Sequence, residues 1–399
     1  MKHCILFYMP ACPYCGNHPT SHAAARMNER LEEWCVPFEY VVYSRPVHFA
    51  ERFWMRILPV MVRFGVMLGV VKYNDDIKKS PIDRARVLWE EADRQDIPMR
   101  QLIVFGNLTD AYEARINDRT IVFDGLPIPP RFPLHTLPWL DDKEKLRLRL
   151  AANGIPVPHG GVCTRFAQMQ KLFATLQKPV IVKPARGSRG RHTTTFIYTE
   201  EQLRHAYEVG KQISRRLIIE EHLTGSVYRA TIVNEKLVGV LRGDPPRVRG
   251  DGTHTIRQLI EEKNRHRDPR VSDFQITGLT EEFLGRSNWT LDAVLPAGVT
   301  IDLTEKIGIT YGGHSAEELP ICHPDTCKIL EDAGRVVGFP VMGFDFIIED
   351  ITKSPHEQRW GIIECNSLPF INLHHDPIEG TPINVAAEVW KLWTTTNRS

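Results

Sequence analysis

Two apolar runs near the C-terminal end, residues 341–349 and 360–365, constrain the fold more than any other feature of the sequence. The polar, proline-containing stretch 350–359 separates them, and this pattern predicts a β-hairpin. Glu364 and Asn366 point to the same face of their strand, and a suitable register brings Asp345 beside them. Hard oxygen donors of this kind suit Mg²⁺. The alternative is a pair of ordinary strands with solvated acids.

Composition excludes several classes of protein. A chain of 399 residues favours two or three domains, and 42% hydrophobic with 25% charged residues is an ordinary globular balance. The net charge of +1 gives no bulk attraction to nucleic acid or to a membrane surface. Eight cysteines without a small-domain framework, and no secretory signal, favour reduced thiols in the cytoplasm.

One apolar segment, residues 53–73, has a composition close to that of a membrane span. Arg56, Pro59 and Arg63 interrupt it, and charges are costly at the centre of a bilayer. The uninterrupted apolar run is also shorter than a span requires. We therefore expect a core helix or strand here, with an interfacial or partner-binding face as the alternative.

The N-terminal region contains a Cys-Pro-Tyr-Cys motif, Cys12 to Cys15. Strand-like residues 2–8 precede it, and a helix beginning near Thr20 or Ser21 and a strand at 37–43 follow. This order resembles the start of a thioredoxin-like fold, and the motif resembles the glutaredoxin active site. Pro59 falls where that family carries a cis-proline. The insertion of residues 16–19 between the motif and the helix departs from the family.

The chemistry of the two N-terminal cysteines has three interpretations. They are structural, or they form a redox pair, or they bind a metal ion together with His18 and His22. The spacing of these four residues is tighter than in the usual zinc finger. A proline-rich connection at 126–138 marks a domain boundary, so we expect domains at 1–75, 76–138 and 139–399.

A basic, glycine-containing loop follows a strand-like run at 179–183. The run delivers Lys183, and Gly187, Ser188 and Gly190 lie in the loop. Glycines allow backbone N–H groups to approach an oxyanion closely, so the loop is a candidate phosphate site. A Walker A sequence is absent, and a solvated basic turn is the alternative.

The order of these features resembles the ATP-grasp ligases. Lys143 opens a helix that ends at Gly-Ile-Pro-Val-Pro, and Lys183, Glu220-Glu-His-Leu223, Arg229, Asp345 and Glu364-Cys-Asn366 follow in the family's sequence. Residues 250–260, Gly312-Gly313 and the motif beginning at His374 resemble most the ATP-grasp domain of cyanophycin synthetases, over residues 138–393. Bifunctional glutathione synthetases share much of the pattern.

The resemblance implies an α/β (α+β) ATP-grasp fold, in which two α+β lobes hold ATP after an N-terminal α/β region that ends in a pre-ATP-grasp-like segment. It implies roles for individual residues as well. Lys143 and Lys183 would bracket the phosphates under a loop containing Gly187, Ser188 and Gly190, and Arg229 would face the phosphates or an acyl phosphate. Adenine would lie against a hinge formed by Glu220, Glu221, His222 and Leu223. Asp345, Glu364 and Asn366 would bind Mg²⁺, or Mn²⁺ in its place.

The implied function is an ATP-dependent carboxylate–amine ligase that forms an amide through an acyl phosphate, with small-molecule or peptide substrates. We expect no nucleic-acid partner and no membrane span. Assembly into a homo-oligomer is compatible with this function. A glutathione-synthetase-like or peptide-tailoring ligase is one alternative. A non-catalytic nucleotide-binding scaffold is another, because Val227 stands where the family carries an acid that contacts ribose.

Two further departures bear on the substrate. Pro369, Phe370 and Asn372 differ from the family just after the predicted metal ligands, and Gly308 and Thr310 replace a typical Asn and Ser. These changes argue against the cyanophycin primer as acceptor. A chain ending at Ser399 has no Mur-ligase-like half, so the resemblance implies a single ligation.

Overall fold

A computed structural model gives the structure of residues 12–15, 20–27, 29–31, 48–132, 136–185 and 191–394. The strands predicted at 2–8 and 37–43 lie outside these ranges. Pro13–Cys15 form a 3₁₀ turn, and residues 22–27 and 29–31 are helical. The Ser21 hydroxyl accepts a hydrogen bond from the Ala24 N–H at 3.2 Å, which confirms the predicted N-cap.

The apolar segment predicted as core structure forms helix α1, His48–Met67, followed by strand β1, Val71–Asn74. Val62 is buried, but Val60 and Phe64 are exposed, so the prediction of a core position is wrong for much of the helix. Pro59 lies inside α1, and Lys178–Pro179 is the cis peptide bond of the described ranges. The equivalence of Pro59 to a glutaredoxin cis-proline is therefore wrong, because α-helical hydrogen bonding needs trans peptide bonds. No helix in the part of the chain that the structure describes has both the length and the apolar character that a bilayer crossing requires.

β1 belongs to a four-stranded antiparallel sheet with the order β1-β2-β3-β4. The other strands are β2 (Met99–Val104), β3 (Asn107–Ile116) and β4 (Arg119–Asp124). Helix α2 (Asp83–Arg94) packs on this sheet with the last helix of the described chain. There the Trp390 indole N–H donates to the carbonyl of Leu88 at 3.0 Å. β1 and β2 thus pair across the predicted boundary between residues 75 and 76.

Two short helices then lead into the remainder of the chain, α3 (Leu137–Leu140) and α4 (Lys143–Ala152). The Asp142 carboxylate caps α4 by accepting the N–H groups of Glu144 and Lys145, each at 3.1 Å. Past the C-terminal end, Gly154 has a φ of 72°. Both signals were visible in the sequence, and the predicted helix is confirmed.

A second sheet, with the order β5-β8-β6-β7, forms the next layer. Its strands are β5 (Gly160–Cys163), β6 (Val180–Pro184), β7 (Thr194–Ile197) and β8 (Leu217–Glu221). Two helices, α5 (Phe166–Thr175) and α6 (Glu200–Lys211), bury Met169 and Leu203 against it. This sheet therefore has its own apolar core.

The third sheet carries the predicted metal ligands and has the order β13-β10-β9-β14-β15. Its strands are β9 (Ser226–Val233), β10 (Lys236–Asp244), β13 (His314–Glu317), β14 (Val341–Ile348) and β15 (Gly361–Asn366). The hairpin predicted from residues 341–349 and 360–365 is confirmed, a second hairpin joins β9 to β10, and all pairings in this sheet are antiparallel. Asn234 and Glu235 both have positive φ, as a two-residue hairpin turn requires.

The remaining elements surround this sheet. Helix α9 (Pro324–Val337) shares its core with Phe344 and Phe346 of β14. Between β10 and β13 lies a small unit with its own core, made of β11 (Arg247–Arg249), α7 (Ile256–His266), α8 (Gly278–Gly285) and β12 (Thr300–Asp302). Two helices, α10 (Asn372–His375) and α11 (Val385–Thr394), complete the described chain. Mixed helices and antiparallel sheets confirm the α+β class.

Candidate active site

Three charged residues face one another across neighbouring strands of the third sheet. Arg229 of β9 is the register partner of Asp345 of β14, and Asp345 is the partner of Glu364 of β15. Because strand residues alternate between faces, all three lie on the face opposite Phe344 and Phe346. Phe344 and Phe346 are fully buried, so one face of β14 is core and the other is charged.

The central contact is a bidentate pair between Arg229 and Asp345. The Nε and Nη2 atoms of Arg229 each donate to one oxygen of Asp345 at 2.8 Å. Burial opposes the charge on Arg229, but the carboxylates of Asp345 and Glu364 outweigh it and raise the pKa of the guanidinium. The side chains are 20% and 16% exposed, so both charges are reachable from solvent.

Lys143 extends the group to a fourth side chain. Its Nζ lies 3.4 Å from Oε1 of Glu364, and the two side chains are 9% and 35% exposed. The capped start of α4 fixes Lys143 at the first helical position, beside β15. We call Lys143, Glu364, Asp345 and Arg229 the charged row. Two cations enclose two neighbouring carboxylates in this row.

The charged row and Asn366 fit a divalent cation. Asn366 is the register partner of Gly343, one step along from the Asp345–Glu364 pair and on the same face. Its buried amide Nδ2 has no hydrogen-bond partner among the described residues. Directly opposite side chains of an antiparallel pair lie within about 5.5 Å at Cβ, a spacing that one ion can bridge. Carboxylate and amide oxygens are the donors that Mg²⁺ takes, so the predicted ligands are brought together.

Lys183, predicted to bracket the phosphates with Lys143, lies on the second sheet. Its Nζ makes a short contact with Oε1 of Glu220, and both side chains are buried. Ile181 is the register partner of Glu220, so the pair crosses between β6 and β8. The sequence contained both residues but gave no sign that they pair. A phosphate reaching Lys183 would compete with Glu220 for the ammonium.

The predicted hinge, Glu220 to Leu223, leaves β8 and runs toward the third sheet. The backbone N–H groups of Glu221 and His222 donate to His159 and Pro179, each at 2.9 Å. The Glu221 carboxylate accepts from Arg359 at 3.0 Å. The Arg359 contact ties the end of β8 to the β14–β15 connection. Leu223 is buried.

An exposed aromatic residue beside the hinge was missed from the sequence. The Phe196 ring centroid lies 4.4 Å from that of His222, and Phe196 has a φ of 54°. A bulky residue with positive φ is an outlier of the kind found near functional sites. Burial, and then the nearby Lys183 cation, lower the pKa of His222 to about 4. The run Thr194–Ile197 resembles an ordinary strand, so no sequence signal could have marked Phe196.

The loop residues Gly187, Ser188 and Gly190 lie outside the described residues. Val227, at the predicted ribose position, lies in β9, where its register partners are Gly243 of β10 and Ile347 of β14. The neighbouring Ser226 hydroxyl donates to Asp244 at 3.2 Å. Val227 therefore supplies no polar group for a ribose.

The segment after the predicted metal ligands covers part of the charged row. Ser367 donates through its backbone N–H and its hydroxyl to Asp141, at 3.0 and 2.9 Å. Phe370 is half-exposed, and its ring centroid lies 5.8 Å from the Arg229 guanidinium carbon. Phe370 therefore adjoins the charged row. It is one of the residues at which the sequence departs from the family.

Gly308 and Gly313 have a steric role that their sequence did not reveal. Gly308 has a φ of 97°. A Cβ on Gly313 would lie 2.1 Å from the carbonyl oxygen of Asp244. Chain geometry thus explains glycine at 308 without reference to a substrate.

A second polar group shares the charged face of β9. The Thr231 hydroxyl lies 2.7 Å from Nε2 of His374, and His374 Nδ1 lies 2.6 Å from Glu317. We call these three residues the buried triad. His374 belonged to a motif of the family resemblance, but its side chain is fully enclosed. It therefore contacts no substrate.

At the N-terminal end, Cys12, Cys15 and His22 lie together, as the metal hypothesis expects. The fourth member of the group is His192 rather than the predicted His18, which lies outside the described residues. A cleft of about 530 Å³ adjoins this region and is lined by residues 193–198 with Glu282, Arg286, Glu305 and Lys306. None of the predicted site residues lines that cleft.

Comparison with known proteins finds relatives of part of the chain. No family model matches it. It is 32% identical over 260 residues to cyanophycin synthetase of Trichormus variabilis, covering 63% of this chain and 29% of that protein. It is 28% identical over 241 residues to the bifunctional glutathione biosynthesis protein of Clostridium perfringens, covering 58% of this chain and 31% of that protein. The chain thus spans less than a third of these relatives.

One solved structure is similar in fold. The bifunctional glutathione synthetase from Pasteurella multocida superimposes with a TM-score of 0.57 at 21% identity. The match covers 78% of this chain and 44% of that protein.

Proposed function

The chain has the ATP-grasp fold that its sequence predicts, and on that premise we propose that it is an ATP-dependent carboxylate–amine ligase. The observation that carries the proposal is the charged row. Two carboxylates on adjacent strands lie between Lys143 and Arg229, and each contacts a cation. Such a site suits a polyanionic phosphate together with a divalent cation. The carboxylates can hold the divalent cation, and Lys143 and Arg229 neutralise part of the phosphate charge.

A carboxylate has no good leaving group, so it must be activated before an amine can attack it. Its oxygen attacks the γ-phosphorus of ATP, ADP leaves, and an acyl phosphate forms; an amine then attacks the acyl carbon, phosphate departs and the amine loses a proton. A divalent cation held by Asp345, Glu364 and Asn366 would offset the phosphate charge. Mg²⁺ is our first choice and Mn²⁺ the second.

The residues of this chain have separate tasks in that scheme. Lys143 and Lys183 bind phosphate oxygens, and Arg229 holds the transferring phosphoryl group in place. His222 and the buried Leu223 present an apolar surface to the adenine, flanked by Phe196. Phe370, over Arg229, contacts the acceptor and excludes water from the acyl phosphate.

We propose an amino acid or short peptide as one substrate, by analogy with the cyanophycin and glutathione synthetases to which the chain is similar. A thiol-containing peptide is the variant that the glutathione relatives favour. Such a ligase would draw on cytoplasmic ATP.

A second candidate function is nucleotide binding without turnover. Val227 favours it, because the loss of the family's acid at the expected ribose position is the kind of change that a non-catalytic relative tolerates. The preserved oxygen donors of the charged row oppose it, since binding alone does not need a metal-bridged phosphate.

The test is release of ADP and phosphate by the purified chain with Mg²⁺ and ATP, challenged with pooled amino acids, dipeptides and γ-glutamyl thiols. A ligase releases phosphate only when a carboxylate and an amine are both present. With ¹⁸O in the substrate carboxylate, one labelled oxygen appears in the released phosphate, because it bridges carbon and phosphorus in the acyl phosphate.

Two outcomes contradict the ligase. If ATP binds but no pool stimulates phosphate release, nucleotide binding without turnover is the function. If phosphate is released without ¹⁸O transfer, ATP is hydrolysed directly and no acyl phosphate forms.

A further inference from the structure

Two cysteines and two histidines converge where the N-terminal segment meets the second sheet. Cys12 lies just before the 3₁₀ turn and Cys15 is its last residue. His22 is in the following helix, and His192 lies just before β7. One potential ligand atom from each lies within 4.8 Å of the others. Cys15 and His192 are buried. None of the four takes part in the ligase chemistry proposed above.

The distances within this group match a tetrahedral zinc site. With Zn–S of about 2.3 Å and Zn–N of about 2.05 Å, the sulfur–nitrogen edge of a tetrahedron is about 3.6 Å. His192 Nε2 lies 3.6 Å from the sulfur of Cys12 and 3.4 Å from that of Cys15. His22 Nε2 lies 3.4 Å from the sulfur of Cys15. The four atoms therefore surround a volume of the size that one ion fills.

The orientation of His192 is that of a metal ligand. Its Nδ1 lies 2.8 Å from the carbonyl oxygen of Val209, so Nδ1 carries the proton and donates it to that carbonyl. The lone pair of Nε2 is then directed at both sulfurs. Metal-bound histidines typically have such a hydrogen bond on the other ring nitrogen, which fixes the tautomer and the ring plane. The backbone N–H of His192 also donates to the Tyr14 carbonyl at 3.0 Å, which holds the turn against it.

We propose that Cys12, Cys15, His22 and His192 bind one Zn²⁺ ion in a closed structural site. Binding releases two thiol protons and leaves two thiolate and two neutral imidazole ligands. Four protein ligands leave no open position for a substrate, so the ion has no catalytic role. The soft and borderline donors exclude Mg²⁺, which the charged row would take.

The ion joins two parts of the chain that are distant in sequence. Three ligands come from residues 12–22 and the fourth from residue 192. Hydrogen bonds join the same two parts of the chain. The Glu29 carboxylate accepts from the Ser214 hydroxyl and from the Arg215 backbone N–H, each at 2.7 Å. The site would therefore pin the N-terminal segment to the second sheet and stabilise the folded state, because the four ligands converge only in the folded chain.

The first experiment measures metal content in the purified full chain by mass spectrometry. We expect one zinc ion per chain, lost in Cys15→Ser and in His192→Gln. Two matched controls retain it. Cys327→Ser removes a thiol from the other pair of neighbouring free cysteines, and His205→Ala removes a histidine that contacts Tyr14 but does not belong to the cluster. Zinc that persists in both ligand variants overturns the proposal.

The second experiment uses the unaltered chain, so it does not depend on a variant that folds. Zinc is exchanged for Co²⁺, and we expect the intense visible absorption of tetrahedral Co²⁺ with a thiolate charge-transfer band, together with loss of two reactive thiols. Weak octahedral absorption overturns the proposal. A purified chain without metal, in which mass mapping finds a Cys12–Cys15 disulfide, overturns it in favour of the redox alternative. Neither result bears on the ligase activity.

Discussion

The charged row and the buried triad begin two residues apart on one face of one strand, yet they differ in what they can do. Arg229 and Thr231 are neighbours on that face of β9. In the charged row, side chains remain between 9 and 35% exposed. In the buried triad, His374 and Glu317 are fully enclosed. Position along the strand therefore separates a site open to ligands from one closed to them.

The difference extends to how the polar atoms are satisfied. Glu317 accepts the Val240 backbone N–H at 2.8 Å and contacts His374, and His374 contacts Thr231. Every member has its partner inside the protein. In the charged row, two carboxylates lie side by side, and the Asn366 amide nitrogen beside them has no partner among the residues described. A closed network stabilises a fold, whereas an incompletely satisfied one leaves capacity for a ligand.

The largest expected effect is at Glu364. The Glu364→Gln variant keeps the shape but removes one metal-binding charge, so we expect turnover to fall by about 10²–10³-fold. The midpoint of thermal unfolding should change little, because the side chain is 35% exposed. Asp350→Asn is the matched control, since Asp350 is an acid on the connection of the same hairpin and pairs with Lys353. An equal loss of turnover in the two variants would show that Glu364 is no more important than the surface acid Asp350.

The opposite pattern is expected for the buried triad. His374→Ala leaves Thr231 and Glu317 without their partner and opens a cavity, so the free energy of unfolding should fall by about 3 kcal/mol. Nucleotide affinity of the folded fraction should not change. Urea unfolding and calorimetric binding measure the two quantities, with exposed His356→Ala as control. A fully stable His374→Ala that no longer binds ATP would place the triad in the active site.

Lys183 is buried and paired, as the residues of the buried triad are, and it is also predicted to bind phosphate. Lys183→Met should weaken ATP binding by about 10-fold and also destabilise the chain, because Glu220 is left buried and unpaired. In the double variant Lys183→Met/Glu220→Gln, stability should recover while ATP affinity stays low. If both stability and ATP affinity recover, Lys183 only neutralises Glu220 and does not bind phosphate.

The last expected effect is absent at neutral pH and appears only on acidification. Burial lowers the pKa of His222 to about 4, below the ordinary value near 6.5 that it has in the unfolded chain. Between these values the unfolded state binds more protons, so stability falls as pH falls from about 6.5 to 4. His222→Phe should make the unfolding midpoint less pH-dependent in that window. An unchanged slope would show that His222 titrates normally.

Much of this arrangement could be predicted from local signals. Apolar runs revealed β14 and β15, and the cap at Asp142 with Gly154 set the limits of α4. Together these placed Lys143, Asp345 and Glu364 correctly. Strand β3 was missed because its polar start, Asn107 to Asp110, resembles a loop.

What could not be predicted depends on contacts between distant residues. The pairing of Lys183 with Glu220 depends on the register of two strands that sequence order leaves open. His192 follows the two N-terminal cysteines by more than 170 residues, so no spacing rule connects it to them. The nearer His18 was the natural choice on spacing alone.

The most direct test of the central claim is calorimetric binding of a non-hydrolysable ATP analogue at increasing Mg²⁺ concentration, in the unaltered chain and in Glu364→Gln. If the charged row holds the phosphates through a divalent cation, affinity rises with Mg²⁺ in the unaltered chain, and this dependence is lost in the variant. Binding that is equally tight without Mg²⁺, and unchanged in Glu364→Gln, would contradict the assignment of the charged row as the active site.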